Sequence, residues 1–137
     1  MAIEWKGVFP AVTTKFNEKD ELDLPLFEKN LKAQIEAGVA GIIIGGSLGE
    51  SSTVSTEEIE QLVKSGLQIA AGHVPVIVNI ATGSTKEAVA LARQIKNWGA
   101  DGIMLLPPMR YKSTAEETVA FFRTVATTTD LPVLLYN

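Results

Sequence analysis

The chain has 137 residues, 46% apolar and 20% charged, which is room for one globular domain and not two. A net charge of −4, with no basic run, gives nucleic acid or an anionic membrane nothing to hold. Cysteine is absent, so thiolate nucleophiles and Fe–S clusters are excluded, and His73 as the only histidine argues against a histidine-based metal site or a Ser-His-Asp triad.

In chain order, the first β-branched run is Gly7–Thr14. Asp23 then stands as an N-cap, with Pro25 in the first turn of a helix whose apolar face is Leu24, Phe27, Leu31 and Ile35. Gly38 ends that helix as a left-handed residue, and a second run, Gly41–Gly45, follows. Ser55 with Glu58 reads as a capping box before the face Ile59, Leu62, Val63, Gly66 and Ala70. The third run is Val74–Ile80; Ser84 with Glu87 opens the next helix, with face Ala88, Leu91, Ala92, Ile95 and Trp98 and a stop at Gly99. After a fourth run, Gly102–Leu106, Ser113 or Thr114 with Glu116 or Glu117 caps a helix of face Val119, Phe122, Val125 and Ala126, and Pro132–Tyr136 is the fifth run. The apolar runs are short and broken by glycine, which excludes a membrane span, and Met1 opens no signal peptide, so a cytoplasmic protein is expected.

Five strands alternate with four helices at about thirty residues per unit, the length of a right-handed crossover, which makes the sheet parallel. Two architectures fit. A flavodoxin-like sheet suits the length but puts helices on both faces and normally adds one after the fifth strand. A (β/α)8 barrel needs eight units and about 250 residues, so this chain is the first four units plus strand five, a half-barrel with an exposed inner face and open edges at Val8–Val12 and Val133–Tyr136. The barrel is favoured by a two-unit repeat: Gly38–Ile42 resembles Gly99–Ile103, and Val74–Val78 resembles Leu131–Leu135.

In either fold the chemistry sits at the carboxyl ends of the strands. There the glycine loop, Gly45-Gly46-Ser47-Leu48-Gly49-Glu50, is the most informative segment. Its glycines let backbone N–H groups approach an anion, with the Ser47 hydroxyl as a further donor; a tight strand-to-helix turn is the other reading. Glu50 reads as a carboxylate fixing the loop through local N–H groups, ahead of a general base.

The glycine loop, continuing through Ser51-Ser52-Thr53-Val54, resembles the Gly-Thr-Thr-Gly-Glu-Ser-x-Thr-Leu signature of the dihydrodipicolinate synthase/N-acetylneuraminate lyase family. Gly7–Phe16 resembles that family's first strand, and Leu131-Pro132-Val133-Leu134-Leu135-Tyr136-Asn137 its fifth. The resemblance implies the N-terminal half, residues 1–137, of one (β/α)8 barrel domain in a homo-oligomeric lyase without cofactor. Such enzymes join a strand-six lysine to pyruvate or another 2-keto acid as a Schiff base, then make or break a C–C bond, dehydrate or deaminate. Carried over, the keto-acid carboxylate falls to Ser47, Gly46 and the Leu48 N–H, and proton transfer to Tyr136, with Ser47 beside it.

The departures matter as much. Leu48 replaces the synthases' second loop threonine, and Met109 the tyrosine that crosses their subunit interface; Tyr111 substitutes for it only if that loop is remodelled. Asn79-Ile80-Ala81 replaces a glycine-rich strand end. These changes point to a relative acting on a different 2-keto acid, such as a sugar-acid aldolase or a dehydratase/deaminase. Arg110 reads as a solvated loop arginine ahead of a carboxylate partner. No lysine lies in a predicted strand, and Lys15, the nearest, stays protonated in water. Two other readings compete: a non-catalytic half-barrel that self-associates, and a flavodoxin-like phosphate binder.

Overall fold

The computed structural model describes residues 3–136. Its elements are α1 (Leu24–Glu36), β1 (Ile42–Ile44), a 3-10 turn (Ser47–Gly49), α2 (Thr56–Ala70), β2 (Val76–Ile80), α3 (Thr85–Trp98), β3 (Gly102–Leu105), α4 (Ala115–Ala126) and β4 (Val133–Leu135). The strands form one parallel sheet in the order β1-β2-β3-β4. Ile43 stands opposite Ile77, Val78 opposite Ile103 and Met104 opposite Leu134.

Strand order decides between the two architectures. A flavodoxin-like sheet reverses at its first strand and carries helices on both faces. Here each strand pairs with the next in sequence, and all four helices cover one face. Phe27 and Leu31, Leu62 and Val63, Ala88 and Ile95, Phe121 and Val125 share a core with Ile42, Ile44, Val78, Ile80, Ile103 and Leu105. The intervening residues Ile43, Ile77 and Met104 form a separate cluster on the other face, the period of two expected along a strand. Sequential parallel pairing with helices outside is the wall of a (β/α)8 barrel, here half of one.

The first predicted strand, Gly7–Thr14, runs along the β1 edge without completing a ladder. Val12 N–H donates to Ile43 O and Ile43 N–H to Pro10 O, both at 2.9 Å, leaving a single parallel bridge between Ala11 and Ile43. Pro10 has no N–H, so the ladder stops there.

The helix starts follow local chemistry. Ser55 with Glu58 and Thr114 with Glu117 form complete capping boxes, while Asp23 and Ser84 each cap by accepting one backbone N–H. Gly99 ends α3 at φ 92°. The buried face of α4 differs from expectation: Phe121 and Val125 are buried, and Val119 is exposed. At the end of α3, Lys96 pairs with Asp130 at 2.7 Å. Its hydrogen bond, with one from the Asp130 backbone and the cation's charge, holds the Asp130 carboxyl below its usual range. That small contribution to stability is present above the ordinary carboxylate pKa and lost as pH falls through the lowered one.

The half-barrel's inner face is less open than expected. Ile77 is fully buried and Ile43, Met104 and Leu106 nearly so, because Ile3, Phe9 and Leu134 pack against them. The edges remain open, with Val8, Leu135 and Tyr136 exposed. At the foot of the sheet the Phe9 ring lies directly on Gly41, where a Cβ would collide with it. Gly41→Ala is therefore expected to cost about 1–3 kcal/mol and lower the thermal midpoint. Gly83→Ala, whose Cβ would make only an ordinary contact at 3.6 Å with a Glu87 carboxylate oxygen, is the control. Equal melting curves by circular dichroism would contradict the packing described.

Candidate active site

The glycine loop leaves β1 through Gly45, whose φ of 73° favours a residue without Cβ. Gly46 is extended, and the chain then makes the 3-10 turn Ser47–Gly49 and reaches Glu50 in a left-handed conformation at φ 53°. Gly49 N–H donates to Gly46 O at 2.9 Å and Glu50 N–H to Ser47 O at 3.1 Å. Among the described residues, the hydrogen bonds of Glu50 run through its main chain: its carbonyl accepts from Thr53 N–H at 2.8 Å and from the Thr53 hydroxyl at 2.9 Å. Glu50 thus fixes the loop through its backbone and not, as expected, through its carboxylate.

Two buried side chains tie the loop to the sheet. The Thr14 hydroxyl donates to Gly49 O at 2.6 Å, and the Asn79 amide donates to Gly45 O at 2.9 Å. Gly49 also lies so close to the first segment that a Cβ would stand 2.9 Å from Val12 O. The two carbonyls are therefore turned into the protein and occupied. Ser47 and Leu48 are exposed on the outer side of the turn. The first N–H groups of a helical turn have no partner within it, and here they belong to these two residues.

The structure thus gathers Gly46, Ser47 and Leu48 into one turn. Tyr136 follows β4 and donates its N–H to Leu105 O at 3.0 Å, with its side chain exposed. Strands β2 and β3 stand between it and the glycine loop, so the two lie on the same rim about 14 Å apart measured along the sheet. Asn137, its partner in the sequence motif, lies outside the described residues. In the loop after β3, Met109 and Tyr111 are exposed, and the Arg110 guanidinium lies over the Tyr111 ring at 6.0 Å, a cation–π contact that fits the solvated-arginine reading. None of the nine lysines is buried, Lys15 being half-buried and the others exposed.

Between the glycine loop and the loop after β2 lies a cleft of ≈ 430 Å³, lined by Gly45, Ser47, Asn79, Thr82 and, from across the rim, Met109. Sequence reasoning puts Thr14 and Asn79 at the strand ends but misses that they tie the glycine loop to the sheet. A signal was available for Asn79: a polar residue inside the run Val76-Ile77-Val78-Asn79-Ile80 must find a partner once buried. Among the described residues, no helix is long and apolar enough to cross a membrane.

Residues 4–137 match the model of the dihydrodipicolinate synthetase family. The chain is 37% identical over 133 residues to the 4-hydroxy-tetrahydrodipicolinate synthase of Exiguobacterium sibiricum, covering 97% of this chain and 45% of the relative. It is 40% identical to that of Nitrosospira multiformis, covering 96% and 44%. Among solved structures, a dihydrodipicolinate synthase of Bacillus anthracis superposes with TM-score 0.95 at 29% identity, covering 99% of this chain and 47% of that one. A prophage protein of the family from E. coli K12, solved in complex with pyruvate, gives 0.90 at 31%, covering 97% and 45%. The chain spans just under half the length of these relatives.

Thr14→Val removes the donor to Gly49 O while keeping the side chain's volume, and an unsatisfied buried carbonyl costs about 1–3 kcal/mol. Hydrogen exchange of the Gly49 and Glu50 amides is expected to accelerate at least about tenfold, while amides of β2 change little. Unchanged loop exchange would show that Thr14 does not hold the loop.

Proposed function

The chain belongs to the dihydrodipicolinate synthetase family, and from that premise we propose that it supplies the N-terminal half of a single (β/α)8 barrel domain in a Schiff-base lyase acting on pyruvate or another 2-keto acid. One observation carries this reading: the two carbonyls that flank the glycine loop's turn are tied into the protein, while Ser47 and Leu48 on it are exposed. Its Gly45 and Gly49 carbonyls are engaged by Asn79 and Thr14, leaving the Ser47 hydroxyl and the Leu48 N–H, on a turn opened by Gly46, to take a carboxylate. Fixed donors of this kind need no reorganisation when the anion arrives.

In this scheme an amine attacks the C2 carbonyl of the keto acid, water leaves, and the resulting iminium withdraws electrons from the neighbouring carbon. Tyr136, on the same rim, relays the proton to and from that intermediate. The amine is a lysine from outside these 137 residues, because a nucleophilic lysine must be desolvated to lose its proton and no lysine here is buried. Leu48, which offers an N–H where the synthases offer a hydroxyl, and Met109 in place of their interface tyrosine, support a 2-keto acid other than that of the synthases. The protein works in the cytoplasm as a homo-oligomer, and needs no cofactor.

Pyruvate with borohydride, read by intact mass, tests this. No adduct is expected on the 137-residue chain, and one pyruvate adduct on a protein that also carries the strand-six lysine. An adduct on this chain would overturn the assignment of the nucleophile. A second reading, a non-catalytic half-barrel that self-associates, rests on the exposed edges at Val8 and at Leu135 and Tyr136. It requires a dimer or larger species by light scattering at micromolar concentration, and a monomer would remove it.

A further inference from the structure

Two buried side-chain acceptors have no hydrogen-bond partner among the described residues: Gln34 Oε1 and Asn79 Oδ1. Asn79 is more than nine-tenths buried, and only one half of its amide is engaged. Its NH2 donates to Gly45 O at 2.9 Å; a carbonyl only accepts, so Oδ1 is the atom left over. A buried acceptor left alone is costly. Because Oδ1 is sealed from solvent, any partner it acquires is a donor of the protein itself.

One such donor lies on the peptide that Asn79 already touches. Gly45 O and Gly46 N–H are opposite edges of one trans peptide plane, and among the described residues Gly46 N–H donates to nothing. A half-turn of that plane exchanges the two edges by moving only ψ of Gly45 and φ of Gly46. It carries φ of Gly46 from −74° at ψ 178° to about +106°, a region open essentially to glycine alone. Gly45, at φ 73°, is glycine as well, so the half-turn is sterically open on both sides. After it, Asn79 rotates its amide and accepts from Gly46 N–H through Oδ1, which leaves its NH2 unpaired instead. Each orientation satisfies one half of the amide, and neither is held by both.

We propose that the Gly45–Gly46 peptide exchanges between the orientation seen and a minor turned one, with Asn79 as the positioning residue that hydrogen-bonds either, and that a bound carboxylate selects the orientation seen. In that orientation Gly46 N–H faces away from Asn79 as a further donor. In the turned one Gly45 O takes its place and repels an anion. The selection rests on the carboxylate reading of the glycine loop; the exchange does not.

Relaxation dispersion of the amide signals of residues 45–47 in the isotope-labelled chain tests this, with pyruvate as the probe. Exchange on the microsecond-to-millisecond scale is expected in the free chain, and its loss at saturating pyruvate. Gly46→Ala should abolish it. Alanine suits the φ and ψ seen, where its Cβ would stand 3.4 Å from Ala11 Cβ, and is barred from the turned orientation. Asn79→Asp should invert the preference. Above its pKa, which burial raises, the new carboxylate only accepts; it takes Gly46 N–H and leaves Gly45 O turned away. Pyruvate then binds at least about tenfold more weakly than at low pH, where the protonated carboxyl donates to Gly45 O again, and the parent chain shows no such step. No exchange at residues 45–47 in the free chain, exchange that persists in Gly46→Ala, or a loss of binding in Asn79→Asp that is equal at every pH would overturn the proposal. If pyruvate moves no signal of Gly46, Ser47 or Leu48, the carboxylate reading fails and the selection with it, while dispersion lost in Gly46→Ala still supports the exchange.

Discussion

The carbonyls of Gly45 and Gly49 bracket the turn that carries Ser47 and Leu48, and each is met inside the protein by one side chain, Asn79 and Thr14 respectively. Without those two hydrogen bonds the loop's acceptors would compete with its donors for whatever approached it. With them, the two flanking carbonyls are engaged. The partners come from opposite sides: Thr14 from the segment lying along the β1 edge, Asn79 from the middle of the sheet. The loop therefore keeps its shape only while the first segment, β1 and β2 stay in register, and the parallel pairings of Ala11, Ile43 and Ile77 enforce that register. A slip of one residue would turn Asn79 from the inner face to the helix-covered core, where its amide would face Ile80's apolar neighbours.

This dependence gives the fold its place in the function. The outer core, from Phe27 and Leu31 to Phe121 and Val125, fixes the helices on one side of the sheet. Burying each of its large side chains contributes about 1.5–3 kcal/mol. The inner face is left to Ile43, Ile77 and Met104 at mid-height, with Ile3 and Phe9 packed against them, and to Asn79 near the rim. Apolar packing closes the lower part, and polar chemistry is confined to the carboxyl ends, which is how a barrel separates stability from activity.

Much of this was legible in the sequence, because local rules act over three or four residues. Ser55 with Glu58, Thr114 with Glu117, and Gly99 mark helix ends by chemistry within one turn. The period of the apolar residues gave three helix faces correctly and misjudged α4, where adjacent Phe121 and Phe122 leave the period ambiguous and the helix turns Phe121 inward. The first strand was overextended because Pro10 deletes one donor from an otherwise β-branched run. In the candidate site, glycine spacing marks the tight turn of Gly46, Ser47 and Leu48, while the carboxylate role given to it comes from the family resemblance. The bonds from Thr14 and Asn79 to that loop are not legible, since their partners lie 35 and 34 residues away, and no local pattern encodes a contact across the sheet. Strand order, which excluded the flavodoxin-like alternative, is likewise a property of pairing and not of any single run.

The central claim is that a loop with its carbonyls tied inward presents the Ser47 hydroxyl and the Leu48 N–H to a carboxylate. A crystal structure of the chain grown in pyruvate addresses it most directly. The account predicts the keto-acid carboxylate within hydrogen-bond distance of Ser47 Oγ and Leu48 N, with the Thr14–Gly49 and Asn79–Gly45 bonds unchanged. A carboxylate bound elsewhere on the rim, or a glycine loop that turns the Gly45 or Gly49 carbonyl toward the ligand, would contradict it.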